Sequence, residues 1–477
     1  MEHKDTVYIT TTLPYVNARP HIGFALELVQ ADALARYFRH TGKKVFFNFG
    51  TDEHGLKVYR TAHTAGVDPQ TYVDGLAEHY KRLAEVLSIS EHNFIRTTDK
   101  HHKMAAQEFW KRCEASGDIY KKQYTVKYCV GCELEKTESE LNEEGRCPLH
   151  PKQEVEFVDE ENYFFRFSRY QNVLSELYQN NPAFVVPAHR QKEIATFVAG
   201  GLQDFSISRL KEKLPWGVLV PGDPKHCMYV WFDALVNYVS AIGWPDRMEE
   251  FKKWWPVLQI AGKDNLRQQA AMWQAMLISA GLPTSAQIMI HGFFTIDGHK
   301  MSKSSGNVVD PEELVATFGV DALRYFLLRE VQPFEDSDFT RQRFIEAYNA
   351  NLANGIGNLT SRIMKMATTY SSEAIPVSVF QWPEVYCNAI ESYRFNEAAD
   401  YVWERIGVLD ARIQEEQPFK VAKVDVEKAK HIIVEMVNEL HQIANLLASL
   451  LPKTSDDIMG AIVHHQMPEP LFKRVEM

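Results

Sequence analysis

The chain has 477 residues, 45% of them hydrophobic, and a formal net charge of -11. Its length exceeds one ordinary hydrophobic core, so roughly two to four domains are expected. The acidic balance excludes a globally basic nucleic-acid binder, so any nucleic acid must meet local basic surface, and no apolar run approaches the length of a membrane span.

Met1-Glu2-His3-Lys4-Asp5 leads straight into an apolar run and leaves no room for a signal or transit peptide, which gives the expectation of a cytoplasmic protein. Thr6 to Thr12 is β-branched and aromatic and predicts a strand, which Leu13-Pro14-Tyr15-Val16-Asn17 then breaks. Pro20 sits where a helix begins, followed by His21-Ile22-Gly23-Phe24 and the helical pattern Leu26, Leu28, Val29, Ala33, Leu34, Tyr37. A strand, a loop and a helix N-terminus make a phosphate cradle, where free amides and the helix dipole meet an anion. His21 can donate to phosphate oxygens there, and Gly23 lets a ring lie against bare backbone. A histidine beside a glycine at a helix start serves equally as a cap, so the residues alone leave this open. Val45 to Gly50 predicts a buried strand ending at Thr51-Asp52-Glu53-His54. Ligands of parallel sheets bind beyond the carboxyl ends of strands, so Asp52 is placed to hold a cation. The alternative is that Asp52 or Glu53 caps the next helix.

Of six cysteines, three fall in one short segment: Cys129-Val130-Gly131-Cys132, then Cys147-Pro148-Leu149-His150. Two ligand pairs joined by a polar connection match tetrahedral structural zinc, with three thiolates and one imidazole filling all four positions. Such a site leaves no place for water, so the ion is a folding staple and not a catalyst. Asn162 to Phe167 returns as a strand. Met228-Tyr229-Val230-Trp231-Phe232-Asp233-Ala234 predicts a strand that turns helical through Tyr238, and periodicity alone assigns its aromatic residues to core. After the strand-like run His291 to Ile296 comes Gly298 to Asn307, in which Lys300 and Lys303 flank Met301-Ser302. Two point cations in a loop of small residues suit a reaction in which pyrophosphate leaves, although a plain solvated basic loop has the same composition. Leu314 to Arg329 predicts a helix-rich junction, and from about Phe344 the pattern is helical to the end.

His21-Ile22-Gly23-Phe24 and Lys300-Met301-Ser302-Lys303-Ser304 together resemble the two signatures of the class I aminoacyl-tRNA synthetases, His-Ile-Gly-His and Lys-Met-Ser-Lys-Ser. Leu13 to Asn17, Gly50 to Gly55 and Tyr229 to Ala234 are similar to the methionine-specific branch of that class, and the likeness runs along nearly the whole chain. The resemblance implies an α/β fold: a Rossmann-type parallel-sheet catalytic domain, split by a zinc-bearing connecting insertion and followed by an all-α anticodon-binding bundle. The expected segments are 1–115 and 226–292 for the two catalytic halves, 116–225 for the insertion, 293–343 for the lysine-loop region, and 344–477 for the bundle. The implied reaction joins L-methionine to ATP, carried with Mg2+, as methionyl-adenylate, then esterifies the 3′ end of tRNA(Met).

The resemblance also assigns residues. His21, Lys300 and Lys303 are the catalytic charges, and Pro20, Gly23, Phe24, Met301 and Ser302 complete the ATP site. Asp52 takes the α-ammonium, and Leu13, Tyr15, Trp231, Ala234, Tyr238, Gln269 and Trp273 form an adaptable slot for a polarizable thioether. In the tRNA-facing bundle Asn358 and Arg362 supply base-edge donors and Phe419 the stacking ring. One zinc ion is expected per chain, in an insertion that approaches the tRNA acceptor end and is too small for an editing domain. No barrel follows Met477, which gives the expectation of a monomer. Three positions depart from the family pattern: Phe24 stands for the second signature histidine, Gln268-Gln269 for Phe-His, and Phe419 for a tryptophan. They keep two alternatives in view, a class I synthetase for another amino acid and a tRNA-binding paralogue with reduced activity.

Overall fold

Thr6–Thr11 (β1) is β-branched at every position but Tyr8, and four of its six residues are buried, as befits a strand covered on both faces. In the computed structural model it lies in a six-stranded sheet with Lys44–Thr51 (β2), Asn93–Arg96 (β3), Val185–Val186 (β4), Val257–Gly262 (β5) and Gln287–His291 (β6), in the order β3-β2-β1-β5-β6-β4. β1 runs parallel to β5 with Tyr8 opposite Val257, β2 parallel to β3, and β6 parallel to β4. The structure describes residues 5–132, 134–136, 140–300 and 308–476, with backbone alone at Tyr124, Val126, Leu134, Glu135, Val158 and Lys300. No described helix is long and apolar enough to cross a membrane.

The chain divides into two compact units. The first holds Met1–Pro20, Val45–Arg82 and Glu91–Ile290, and so contains the sheet and the cysteine-bearing insertion. The insertion carries a separate sheet, in which Ile119–Cys129 pairs antiparallel with Glu156–Phe165 and with Leu134–Lys136. Behind the central sheet the core is strongly aromatic. Phe109 stacks on Trp273 at 5.5 Å between ring centroids and meets Trp244 edge-on at 5.7 Å, the geometries that ring quadrupoles favour.

The expected strand at Met228 to Ala234 is corrected here. The strand is Asp223–Met228, and the helix begins already at Val230. β-Branched and aromatic residues raise strand propensity, but that preference is weak against tertiary packing. Val230, Phe232, Asp233, Ala234 and Leu235 are all buried, so the short helix is enclosed on nearly every side.

The second unit holds His21–Lys44, Leu83–Ser90 and His291–Met477. It begins with the helix Ile22–His40 and is helical throughout its later part, the last strand being Ser337–Phe339. At its centre the fully buried Asp32 pairs with Arg324 Nη1 at 2.7 Å and Arg36 Nε at 2.8 Å, and accepts the Ser90 N–H at 2.7 Å. Burial alone would raise this carboxyl, but the two guanidiniums and Ser90 hold it below its ordinary value. Arg324 also donates to the Leu450 carbonyl at 2.8 Å, so its remaining donors are satisfied far from water.

Candidate functional site

The carboxyl ends of β1 and β2 lie side by side, and the loops leaving them are tied together. The Asp52 N–H donates to the Pro14 carbonyl at 3.0 Å and the Val16 N–H to the Asp52 carbonyl at 2.9 Å, a parallel bridge that sets Tyr15 beside Asp52. Beyond these ends opens a cavity of about 280 Å³. It gathers Leu13, Tyr15 and Asp52 from the loops after β1 and β2 with Trp231, Ala234, Tyr238 and Gln269 from the later part of the same unit. A carboxylate beside aromatic and aliphatic side chains fits a ligand with a cationic head and an apolar tail. Trp273, expected beside them, does not line the cavity; it is fully buried, stacked on Phe109 and 5.8 Å from the Tyr238 ring.

Neither acid caps the following helix. The helix Leu56–Thr64 begins after Gly55, which makes no side-chain cap. Glu53 is held in a bidentate pair by Arg96, at 2.7 Å and 2.9 Å, and accepts the Thr51 hydroxyl at 2.6 Å. Asp52 is thus the acid left to face the cavity, with Lys57 beside it. One residue further on, His54 Nδ1 meets Asp233 Oδ2 at 2.6 Å. This buried pair fastens the Asp52 loop to the helix Val230–Leu235 that carries Trp231 and Ala234. Burial pushes the Asp233 carboxyl above the usual carboxylate range, against the pull of His54. Burial, with His54 and His101 close by, pushes His102 down to about 3.

Sequence reasoning missed several lining residues. Asn237 adjoins the assigned Tyr238, and Asp264 and Asn265 lie a few residues before Gln269. Gly131 and Cys132 were legible only as part of the cysteine pair, yet they bring the knuckle to the cavity wall.

The knuckle itself gathers the four ligand-type residues that the spacing singled out. One ligand atom from each of Cys129, Cys132, Cys147 and His150 lies within 4.8 Å of every other. Cys132 Sγ is 3.5 Å from Cys147 Sγ and 3.2 Å from His150 Nδ1, and Cys129 Sγ is 3.7 Å from that nitrogen. With metal–ligand bonds of about 2.0–2.3 Å, tetrahedral edges come out close to these separations, so the residues fit a Zn2+ ion. A Cβ on Gly131 would sit 2.5 Å from the His150 ring, so only glycine lets the two ligand pairs close.

In the second unit, His21 is the N-cap of the helix Ile22–His40, its Nδ1 accepting the Gly23 N–H at 3.1 Å. The capping alternative is therefore realised, and it has a chemical consequence. An Nδ1 that accepts carries no proton, so the neutral ring holds its proton on Nε2 as a donor. Pro20 stands just before this cap, and Phe24 turns inward and is buried. The Lys300 backbone pairs with Thr295 in a short antiparallel ribbon. Met301, Ser302 and Lys303 lie outside the described residues.

A second hollow, about 400 Å³, is lined by Arg362, Lys365, Ile413, Phe419 and Met467 among others. Phe419 is 41% exposed, which removes core packing as the reason for its ring. Arg362 forms an ion pair with Asp410 there, and Asn358 lies exposed one helical turn before it. Truncating Phe419 tests the anticodon role that the resemblance to the synthetases implies for this hollow. Base–aromatic stacking is worth about 1–3 kcal/mol by alanine substitution, so Phe419→Ala should raise the tRNA KM by roughly one to two orders of magnitude. ATP–pyrophosphate exchange should stay as it was, and charging of an anticodon-altered tRNA should lose less. Equal losses on both tRNAs would mean that the hollow does not read the anticodon.

Comparison with known proteins places these features in one family. The family model described as tRNA synthetases class I (M) matches residues 7–155 and 136–364. A methionine--tRNA ligase of Thermotoga maritima is 38% identical over 98% of this chain and 80% of its own length. One from a Nostoc species is 40% identical over 99% of this chain and 97% of its own. The solved structure of Mycobacterium tuberculosis methionyl-tRNA synthetase in complex with methionyl-adenylate is similar with a TM-score of 0.89 at 36% identity. It covers 95% of this chain and 93% of that one.

Proposed function

The chain belongs to the class I (M) tRNA synthetases, and from that premise we propose that it activates methionine with ATP and transfers the methionyl group to the 3′ end of tRNA(Met). The methionine carboxylate attacks the α-phosphorus and pyrophosphate leaves; a hydroxyl of the terminal adenosine then attacks the acyl carbon and AMP leaves. No side-chain nucleophile takes part, so the protein's contribution is alignment and charge stabilisation.

The observation that carries the methionine reading is the cavity that joins Asp52 to an apolar, aromatic slot. Asp52 holds the α-ammonium, and Leu13, Tyr15, Trp231, Ala234, Tyr238 and Gln269 enclose the side chain, with Trp273 packed behind Tyr238. For ATP, which enters with Mg2+, His21 Nε2–H donates to a phosphate oxygen at the helix N-terminus, where the dipole already favours an anion. Pro20, Gly23 and Phe24 shape that end of the site. Lys300 and Lys303, flanking Met301 and Ser302, follow the charge onto the leaving pyrophosphate. Cys129, Cys132, Cys147 and His150 hold one Zn2+, which closes the knuckle and supplies structural cross-linking rather than chemistry. Residues 344–477 read the anticodon through Asn358, Arg362 and Phe419, with 1–115 and 226–292 as the catalytic halves, 116–225 as the insertion, and 293–343 as the lysine-loop region.

ATP–pyrophosphate exchange with each of the twenty amino acids tests the reading. Methionine should support exchange at least about a hundredfold better than leucine or cysteine; discrimination per methylene is about 10–200-fold in such pockets. Exchange led by another amino acid would transfer the chain to another specificity. No exchange, in a protein that still binds tRNA(Met), would make it a paralogue that has lost activity.

A further inference from the structure

Behind the substrate cavity lies a closed circuit of buried amides. Gln259, Gln269, Gln274 and Ser285 are at most 4% exposed, and only Gln269 among them lines the cavity. The direction of every hydrogen bond in the circuit follows from one backbone group that can only donate. The Ser285 N–H donates to Gln274 Oε1 at 3.0 Å. This orients the Gln274 amide, whose Nε2 donates to the Gln269 backbone carbonyl at 2.8 Å and to Ser285 Oγ at 3.1 Å. The Ser285 hydroxyl, having accepted, donates to Gln259 Oε1 at 2.5 Å. Gln259 therefore turns its Nε2 to Gln269 Oε1 at 3.0 Å, and Gln269 turns its own Nε2 to Tyr238 Oη at 2.8 Å.

The outcome is a wall of fixed polarity. The Gln269 side-chain oxygen is engaged by Gln259, which does not line the cavity, and its two-hydrogen amino group gives one hydrogen bond to the cavity residue Tyr238. We propose that Gln259, Gln274 and Ser285 are positioning residues for amino-acid choice, holding the Gln269 amino group as a donor on the cavity side. The site then selects an unbranched side chain that carries an acceptor atom, a thioether, over its all-carbon analogue. The inference rests on the methionine reading and adds the element that discriminates within it. A site that presents a donor rejects an isostere lacking the acceptor, because the buried N–H is left unpaired. An amide does this without a charge to titrate, whereas an imidazole at the same position would change its donors with pH.

The experiment measures ATP–pyrophosphate exchange with methionine and with norleucine, which replaces the sulfur by a methylene. Gln259→Leu removes the lock on Gln269, and Gln269→Glu keeps the shape while presenting acceptors alone. Each should lower the methionine-to-norleucine ratio of kcat/KM about tenfold, chiefly through the KM for methionine, as expected for a difference in ground-state binding. Ser285→Ala should lower the ratio in the same sense, and Ser285→Thr, which keeps the hydroxyl, should restore it. A ratio within twofold of wild type in Gln259→Leu or Gln269→Glu, with an unchanged melting temperature, overturns the proposal. If both variants unfold, the Ser285→Ala and Ser285→Thr pair decides: equal ratios in the two overturn it. Absence of methionine-dependent exchange in the unaltered protein would sink the functional reading itself, whereas exchange with an unmoved ratio sinks only the relay.

Discussion

Lys303→Ala should slow methionyl-adenylate formation by about 10²–10³-fold, the loss seen when one preorganised donor to developing charge is removed. The KM for methionine should change by less than about threefold, because the ammonium acts on the triphosphate and not on the amino acid. In free-energy terms the effect lies in the transition state, so kcat and kcat/KM should fall together. Lys300→Ala should behave in the same way. A lysine is suited to this task because its charge is compact and its stem flexible, so it can follow an oxygen as the leaving group departs. Lys303→Arg should recover only part of the rate for that reason. Pre-steady-state measurement of adenylate formation is the check, and an unaltered rate in both alanine variants would reduce the segment to a solvated basic loop.

Removing the metal should have the second large effect. Burial, reinforced by Cys147 and Cys129, pushes the Cys132 thiol up to about 12, so that ligand is protonated at neutral pH without the metal, while the Cys147 thiol is held below its ordinary value, against burial, by its hydrogen bond with Cys132. Zinc binding must then release protons, and the site should hold its ion more weakly as pH falls. Metal analysis should give about one zinc per chain. Stripping it with a chelator should lower the melting temperature by at least about 5 °C, given roughly 2–4 °C per kcal/mol for units of this size. It should also raise the KM for methionine, since Gly131 and Cys132 form part of the cavity wall. A protein that purifies with much less than one zinc, or whose melting is indifferent to chelation, would remove the ion from the account. A lower melting temperature with an unmoved methionine KM would confine the metal's influence to the knuckle.

Some of this molecule was legible residue by residue. The four knuckle ligands declare themselves because CxxC and CxxH pairs are local: each turn places its two ligand atoms, and the fold has only to bring two turns together. Strand β1 and the helix start at His21 were equally local, fixed by β-branching, a proline and a capping side chain. Other features were out of reach of pattern. Periodicity reports that a residue is buried, not what lies on its far side, so Trp231 and Trp273 looked alike. Only the packed structure separates them, with Trp231 on the cavity and Trp273 stacked against Phe109. The strand propensity of Tyr229 to Phe232 lost to helix packing for the same reason. Glu53 and Asp52 are neighbours with like chemistry, and it took Arg96, on the adjacent strand, to occupy one and leave the other facing the cavity. Gln269 was visible as a departure, but its orientation depends on Gln259 and Ser285, which reach it only after β5 and the residues before β6 are in place. Local backbone chemistry is written in short stretches of chain, whereas the polarity of a buried amide is set by partners that folding alone brings within 3 Å or so of it.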